Sequence, residues 1–113
     1  MIALQADWER RARDASATGG LAFERLLSLV EAGGDSGQTS RIAGFVAATV
    51  GFHHFDIYDL RALDVDLSDD VLACLDAVRW GKCHLAELVP NGFARARQVS
   101  EHWGYVAKAR AQP

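Results

Sequence analysis

The sequence predicts an all-α fold: a compact bundle of five to six helices, one domain over residues 1–113. Three observations predict it. Ile42, Phe45, Val46, Thr49 and Val50 recur at i, i+3, i+4, i+7 and i+8, the spacing that gathers side chains on one face of a helix. Ala is plentiful and Pro occurs only 2 times, a balance that favours helices over sandwiches and barrels. No linker, internal repeat or low-complexity run divides the 113 residues, a length that buries one modest core without staples.

The central element is expected at about 37–52. Its second side carries Ala43, Gly44, Ala47, Ala48 and Gly51, small residues and not polar ones. A helix apolar all round is either a core helix or a membrane span, and a span needs roughly 18 or more apolar residues. Arg41 and the His53-His54 pair close this run too early for that. Ser36 is placed to cap its start, and Gly51 to stop it.

The other elements follow in order. Residues 1–20 read as a helical extension, with Leu4, Trp8, Ala12 and Ala15 on one side of a helix over 2–16. Thr18-Gly19-Gly20 is expected to end it. A second helix runs from Leu21 to Ala32, with Leu26, Leu27, Leu29 and Val30 apolar. After the central helix, Phe55 to Asp70 fits either a short strand or a helical turn; one short helix followed by an extended stretch is preferred. Ser68 then caps a helix to about Trp80 that turns Val71, Leu72, Leu75 and Val78 inward and holds Asp69 and Asp70 in its first turn. Residues 82–89 make a short turn or helix, and Pro90-Asn91-Gly92 breaks the chain. A last helix from about Phe93 carries Ala96, Val99, Ser100, Trp103 and Val106 on one face, with an interruption at Gly104 and a frayed tail over 108–113.

Charge is segregated. Residues 1–55 carry −1, residues 56–76 carry −6 from seven Asp and one Arg, and residues 77–113 carry +4. The net charge of −3 argues against a dedicated nucleic-acid binder. The acidic run Asp56, Asp59, Asp64, Asp66, Asp69, Asp70 is the candidate partner-binding surface, although caps and turns account for several of these residues singly. The alternative contact is with nucleic acid through Arg95, Arg97 and Lys108, with Arg110 beyond them; so few basic residues would give salt-sensitive, non-specific affinity.

No catalytic or metal site is expected. Cys74, Cys83, His53, His54, His84 and His102 lack the paired spacings of structural zinc sites. Cys83 and His84 are adjacent, which rarely seats a base on its nucleophile. Nucleophile elbow, phosphate loop, dinucleotide fingerprint and zincin helix are all missing. Two cysteines make no disulfide framework, and the opening residues contain no secretory apolar run, so free thiols in a reducing cytoplasm are expected, with no cofactor and no membrane contact. A monomer and a homodimer are both compatible with the small-residue helix surface.

Three stretches carry a resemblance: SGQTSRIAGFV at 36–46, FDIYDLRALD at 55–64 and DDVLACLDAV at 69–78. Over about residues 25–103 the chain resembles a family of short uncharacterised bacterial proteins typically encoded on integrative and conjugative elements, plasmids and prophages. The N-terminal extension and the C-terminal helix depart from that family. The resemblance implies a small soluble cytoplasmic domain with no assigned activity or catalytic residues. Mobile-element proteins of this size often bind host proteins, and inhibitors of CRISPR effectors are one such group. The expected role is therefore non-enzymatic binding to a protein partner such as a CRISPR effector subunit, through the acidic surface.

Overall fold

The structure, a computed structural model, describes residues 2–34 and 36–108. Among them there are four α-helices and two 3-10 turns, and no strand. The α-helices are α1 (Ile2–Glu31), α2 (Gly37–Thr49), α3 (Val65–Trp80) and α4 (Gly92–His102), with the 3-10 turns at Ile57–Ala62 and Leu85–Leu88. The all-α expectation holds.

α1 differs from expectation in being one helix where two were foreseen. It passes straight through Gly19-Gly20. The glycines act by packing and not by turning the chain: a Cβ on Gly19 would clash with the Ala77 Cβ and lie 3.0 Å from the Ala73 carbonyl oxygen. Two helices approach this closely only where one has no side chain. At ~1.5 Å per residue, 30 residues make a rod of about 45 Å, most of the 55 Å long dimension of the molecule. It is sheathed from about Ala15 onward. Ala22, Phe23, Leu26 and Leu27 are fully buried, whereas Leu4 and Trp8 in the first half lie open.

α2 is capped as the sequence indicated. The Ser36 Oγ accepts from the Thr39 backbone N–H at 3.2 Å. The helix ends at Thr49, and Gly51 takes a left-handed φ of 85° just beyond it, a conformation costly for any residue with a Cβ. Ile42 through Ala47 are all buried, so the helix is enclosed through its middle. α1 is nevertheless the hub: it packs most extensively on α3, then on α2, the 85–88 turn and α4.

α3 starts at Val65, three residues before the Ser68 cap expected; Asp64 holds the N-cap position, without a side-chain bond to the helix. The extended stretch thus shrinks to Leu63 and Asp64, and the first turn holds Asp66 in place of Asp69 and Asp70. The inward face also differs. Val71, Cys74 and Ala77 are buried, while Leu72, Leu75 and Val78 point away from the core. Small residues at Cys74 and Ala77 let α1 come close, and that choice turns the bulkier stripe outward.

α4 follows a left-handed Asn91 and buries Ala96, Val99 and Ser100; the Ser100 hydroxyl donates to the Ala96 carbonyl at 2.8 Å. It stops at His102, before Gly104. Arg95 ties α4 to α1 by donating to Glu31 at 2.8 and 2.9 Å and to Glu24 at 2.6 Å. Both partners raise the Arg95 pKa, and Arg95 in turn lowers that of Glu31, chiefly through the hydrogen bonds. Of the expected frayed tail, Lys108 is exposed coil and residues 109–113 lie outside the described residues.

Candidate functional surface

The outward stripe of α3 lies beside an apolar groove. Phe45, Ala48 and Thr49 of α2 form one wall, Phe55, Ile57 and Leu60 a second, and Leu75 and Val78 of α3 a third; residues 81–85 close one end. The cavity volume is about 630 Å³, inside the ~300–1,000 Å³ range of ligand-sized clefts. Phe45 and Phe55 meet edge to face at 5.2 Å, which braces the floor. Of the lining residues Ile57 is 66% exposed, Leu75 42% and Val78 58%, and Leu72 on α3 is 50% exposed outside the lining. Single exposed apolar residues need no explanation, but a run of them along one groove does.

The six acidic candidates divide into two groups. Three are engaged within the fold. The Asp56 carboxylate accepts from the Tyr58 N–H at 2.9 Å, capping the 57–62 turn. Asp59 faces Arg41 at 3.7 Å. Asp70 accepts both arms of the Arg25 guanidinium, at 2.8 and 3.1 Å, linking α3 to α1 and raising the Arg25 pKa. The other three, Asp64, Asp66 and Asp69, are exposed and make no ion pair among the described residues. Helical spacing sets Asp69 and Asp76 on the side of α3 turned away from Leu75 and Val78, and Asp76 lines a separate cleft with Arg79 and Trp80 against α1. Asp56 caps, and Asp59 lies within, the 57–62 turn whose Ile57 and Leu60 line the groove.

The basic candidates are less free. Arg95 is held by Glu24 and Glu31 as above. Arg97 pairs with Glu101 at 3.2 Å and lies over the Phe52 ring. Lys108 alone of the three is unencumbered by an ion pair among the described residues. Arg110 lies outside them.

Cys74 is a buried core residue whose thiol is pushed up to about 12 by burial first and by Asp70 second, and its Sγ lies 3.8 Å from the Gly19 carbonyl. A thiol so placed is inert. Cys83 is exposed at the closed end of the groove, beside His84. His53 stacks on Tyr105 and His84 lies edge-on to Phe93, so the histidines are dispersed. Among the described residues no three His, Cys, Asp or Glu side chains converge into a metal-holding group, and no helix is long and apolar enough to cross a membrane.

Sequence reasoning found the acidic run but missed the groove, because Leu72, Leu75 and Val78 have the composition of a core stripe. A signal was present: Cys74 and Ala77, set among them, are the residues small enough to meet Gly19.

Among known proteins, the model of a family described as being of unknown function, DUF7673, matches residues 20–104. The resemblance to uncharacterised proteins over about 25–103 holds at that level. The match leaves residues 2–19 of α1 outside it and runs through α4, so the C-terminal helix does not depart from the family as expected. No curated protein matches the chain, and no solved structure does.

Proposed function

The chain belongs to the DUF7673 family, a family of unknown function, and from that premise we propose that it acts by binding another protein and not by catalysis. One observation carries the reading: an apolar groove open to solvent, in a chain whose residues 56–76 carry −6. Leu72, Leu75, Val78 and Ile57 supply the area whose burial drives association. Asp64, Asp66 and Asp69, free of internal partners, supply long-range attraction for a basic surface and set its approach.

The same reading extends to a setting: a cytoplasmic protein of a mobile genetic element, whose partner is a subunit of a host CRISPR effector. That extension rests on the resemblance to mobile-element proteins and on the acidity of the surface, which suits a face built to grip nucleic acid. The nucleic-acid alternative requires Arg95 and Arg97 to leave Glu24, Glu31 and Glu101 before they reach phosphate.

Affinity capture on the full chain tests the reading. A discrete protein is expected to be retained by the wild type and lost when Asp64, Asp66 and Asp69 are together changed to Lys. Retention undiminished by that reversal overturns the acidic surface. A salt-sensitive mobility shift with nucleic acid, lost on Lys108→Glu, would replace this reading by the alternative.

A further inference from the structure

We infer that the projecting first half of α1 pairs antiparallel with the same segment of a second copy of this chain, burying Leu4 and Trp8 of both. The inference concerns a different surface from the groove and goes beyond the protein-binding reading.

One stripe runs along α1. Leu4, Trp8, Ala12, Ala15, Gly19 and Ala22 follow at intervals of three or four residues, which places them on one face. From Ala15 onward these stripe residues are buried. α3 lies antiparallel alongside: Asp70 meets Arg25, Ala73 and Ala77 lie against Gly19, and Trp80 meets Arg11 at 5.5 Å. α3 ends at Trp80. Leu4 and Trp8 carry the same face past that point, and Trp8 is 55% exposed. The polar contacts of this projection stay within the helix: Gln5 donates to Glu9, and Arg10 and Arg11 donate to Asp7. The buried part of α1 supplies the helical nucleus, and these pairs support its extension. Leu4 and Trp8 are thus presented on a preformed rod, which loses little further freedom on binding.

The charge pattern of the segment names its occupant. Asp7 and Glu9 give residues 2–9 a side-chain charge of −2, and Arg10, Arg11 and Arg13 against Asp14 give residues 10–14 a charge of +2. A parallel second copy would set like charges level with one another. An antiparallel copy centred near Trp8 sets the acidic half against the basic half, and Asp7 comes level with Arg10 and Arg11 of the other copy on the edge these three share. The segment is neutral as a whole, unlike residues 56–76 with −6. Asp70, at Arg25, lies about 25 Å along α1 from Trp8, and Asp64, Asp66 and Asp69 lie farther still, beyond the ~10 Å over which exposed charges are felt. The acidic segments of two copies therefore do not oppose this pairing. A contact of a few helical turns is at the small end of stable interfaces, so the dimer is reversible with dilution.

Sedimentation of the full chain over a range of concentrations is expected to show a monomer–dimer equilibrium. Trp8→Glu should weaken it at least about tenfold, the scale of a lost aromatic anchor, with helicity by circular dichroism unchanged because Trp8 lies outside the core. Asp7→Lys should weaken it as well, and adding Arg10→Asp and Arg11→Asp to Asp7→Lys should restore it; this rescue decides the matter should Trp8→Glu unfold the chain. Direction is read with spin labels on Ala17→Cys in a Cys83→Ser background. They are expected at least about 27 Å apart in an antiparallel pair and about 10 Å apart in a parallel one. A chain monomeric at every concentration overturns the inference, as does a dimer indifferent to Trp8→Glu and Asp7→Lys, or labels at the parallel distance. A dimer dissociated by Val78→Glu instead would place the second copy on the groove. A different protein captured by a monomeric wild type and lost on Trp8→Glu would assign the segment to that protein. Each of these leaves the captured-partner test of the acidic surface to be judged on its own result.

Discussion

The two sides of α3 are built from similar residues and end in opposite environments. Toward α1, Val71, Cys74 and Ala77 are sealed, with the Gly19 backbone against Ala73 and Ala77. On the other side, Leu75 and Val78 line an open groove and Leu72 is exposed outside it. By hydrophobicity alone the second set should win the core. It loses on shape. The small residues permit a helix-to-helix approach that bulky ones would block, and packing at interior density makes each such contact count. What remains outside is then available for something other than folding.

If close approach decides which side is sealed, Gly19→Val should have the largest effect of any single change near α3. The added side chain meets Ala77 and the Ala73 carbonyl, and overpacking of this kind costs about 3 kcal/mol, a fall of about 12 °C in Tm for a chain of this size. Gly19→Ala sharpens the test through its sign. Alanine gains up to ~1 kcal/mol over glycine in a helix interior, so a stabilised Gly19→Ala variant in thermal melts would show that the two helices can move apart and that the comparison is misdrawn.

A matched pair comes next. Val71 is fully buried and Val78 is 58% exposed, on the same helix. Val71→Ala removes two methyl groups from the core at about 2 kcal/mol, transfer and cavity together. Val78→Ala should change urea stability by less than ~0.5 kcal/mol, as surface substitutions do. Equal losses at the two sites would mean that the groove is closed in solution.

This pair also marks how far the sequence was legible. The all-helical class, the Ser36 cap and the extent of α2 follow from local chemistry: spacing, a hydroxyl before a helix, a glycine after one. The continuity of α1 through Gly19-Gly20 does not, because a glycine pair reads locally as a break and only the partner helix gives it another use. The N-terminus of α3 moved for a related reason. Ser68 has the chemistry of a cap, but the Gln38 side chain fixes this segment from a distance, accepting from the Asp64 N–H at 2.9 Å and donating to the Ala62 carbonyl at 2.7 Å. At the candidate surface, composition located the aspartates without separating those that hold the fold, such as Asp70 on Arg25, from those left free. Pairings that span 24 to 71 residues carry no local signature.

The smallest expected effect concerns the link between α1 and α4, where charge and not shape joins two helices. The Glu31 carboxylate accepts two bonds from the Arg95 guanidinium, which lowers its pKa below the ordinary 4.5. A carboxyl whose pKa is lower in the folded than in the unfolded chain stabilises the fold fully above the unfolded value, and that stabilisation is lost as pH falls through the folded one. Glu31 is 36% exposed, so solvent screening keeps the pair to roughly 0.5–1 kcal/mol. Wild type should therefore exceed Glu31→Gln in urea stability by that margin at neutral pH, and the two should converge as pH drops below 4.5. A gap that persists unchanged into acid would assign the contribution of Glu31 to packing. The α1–α4 contact would then be governed by shape, like the sealed side of α3.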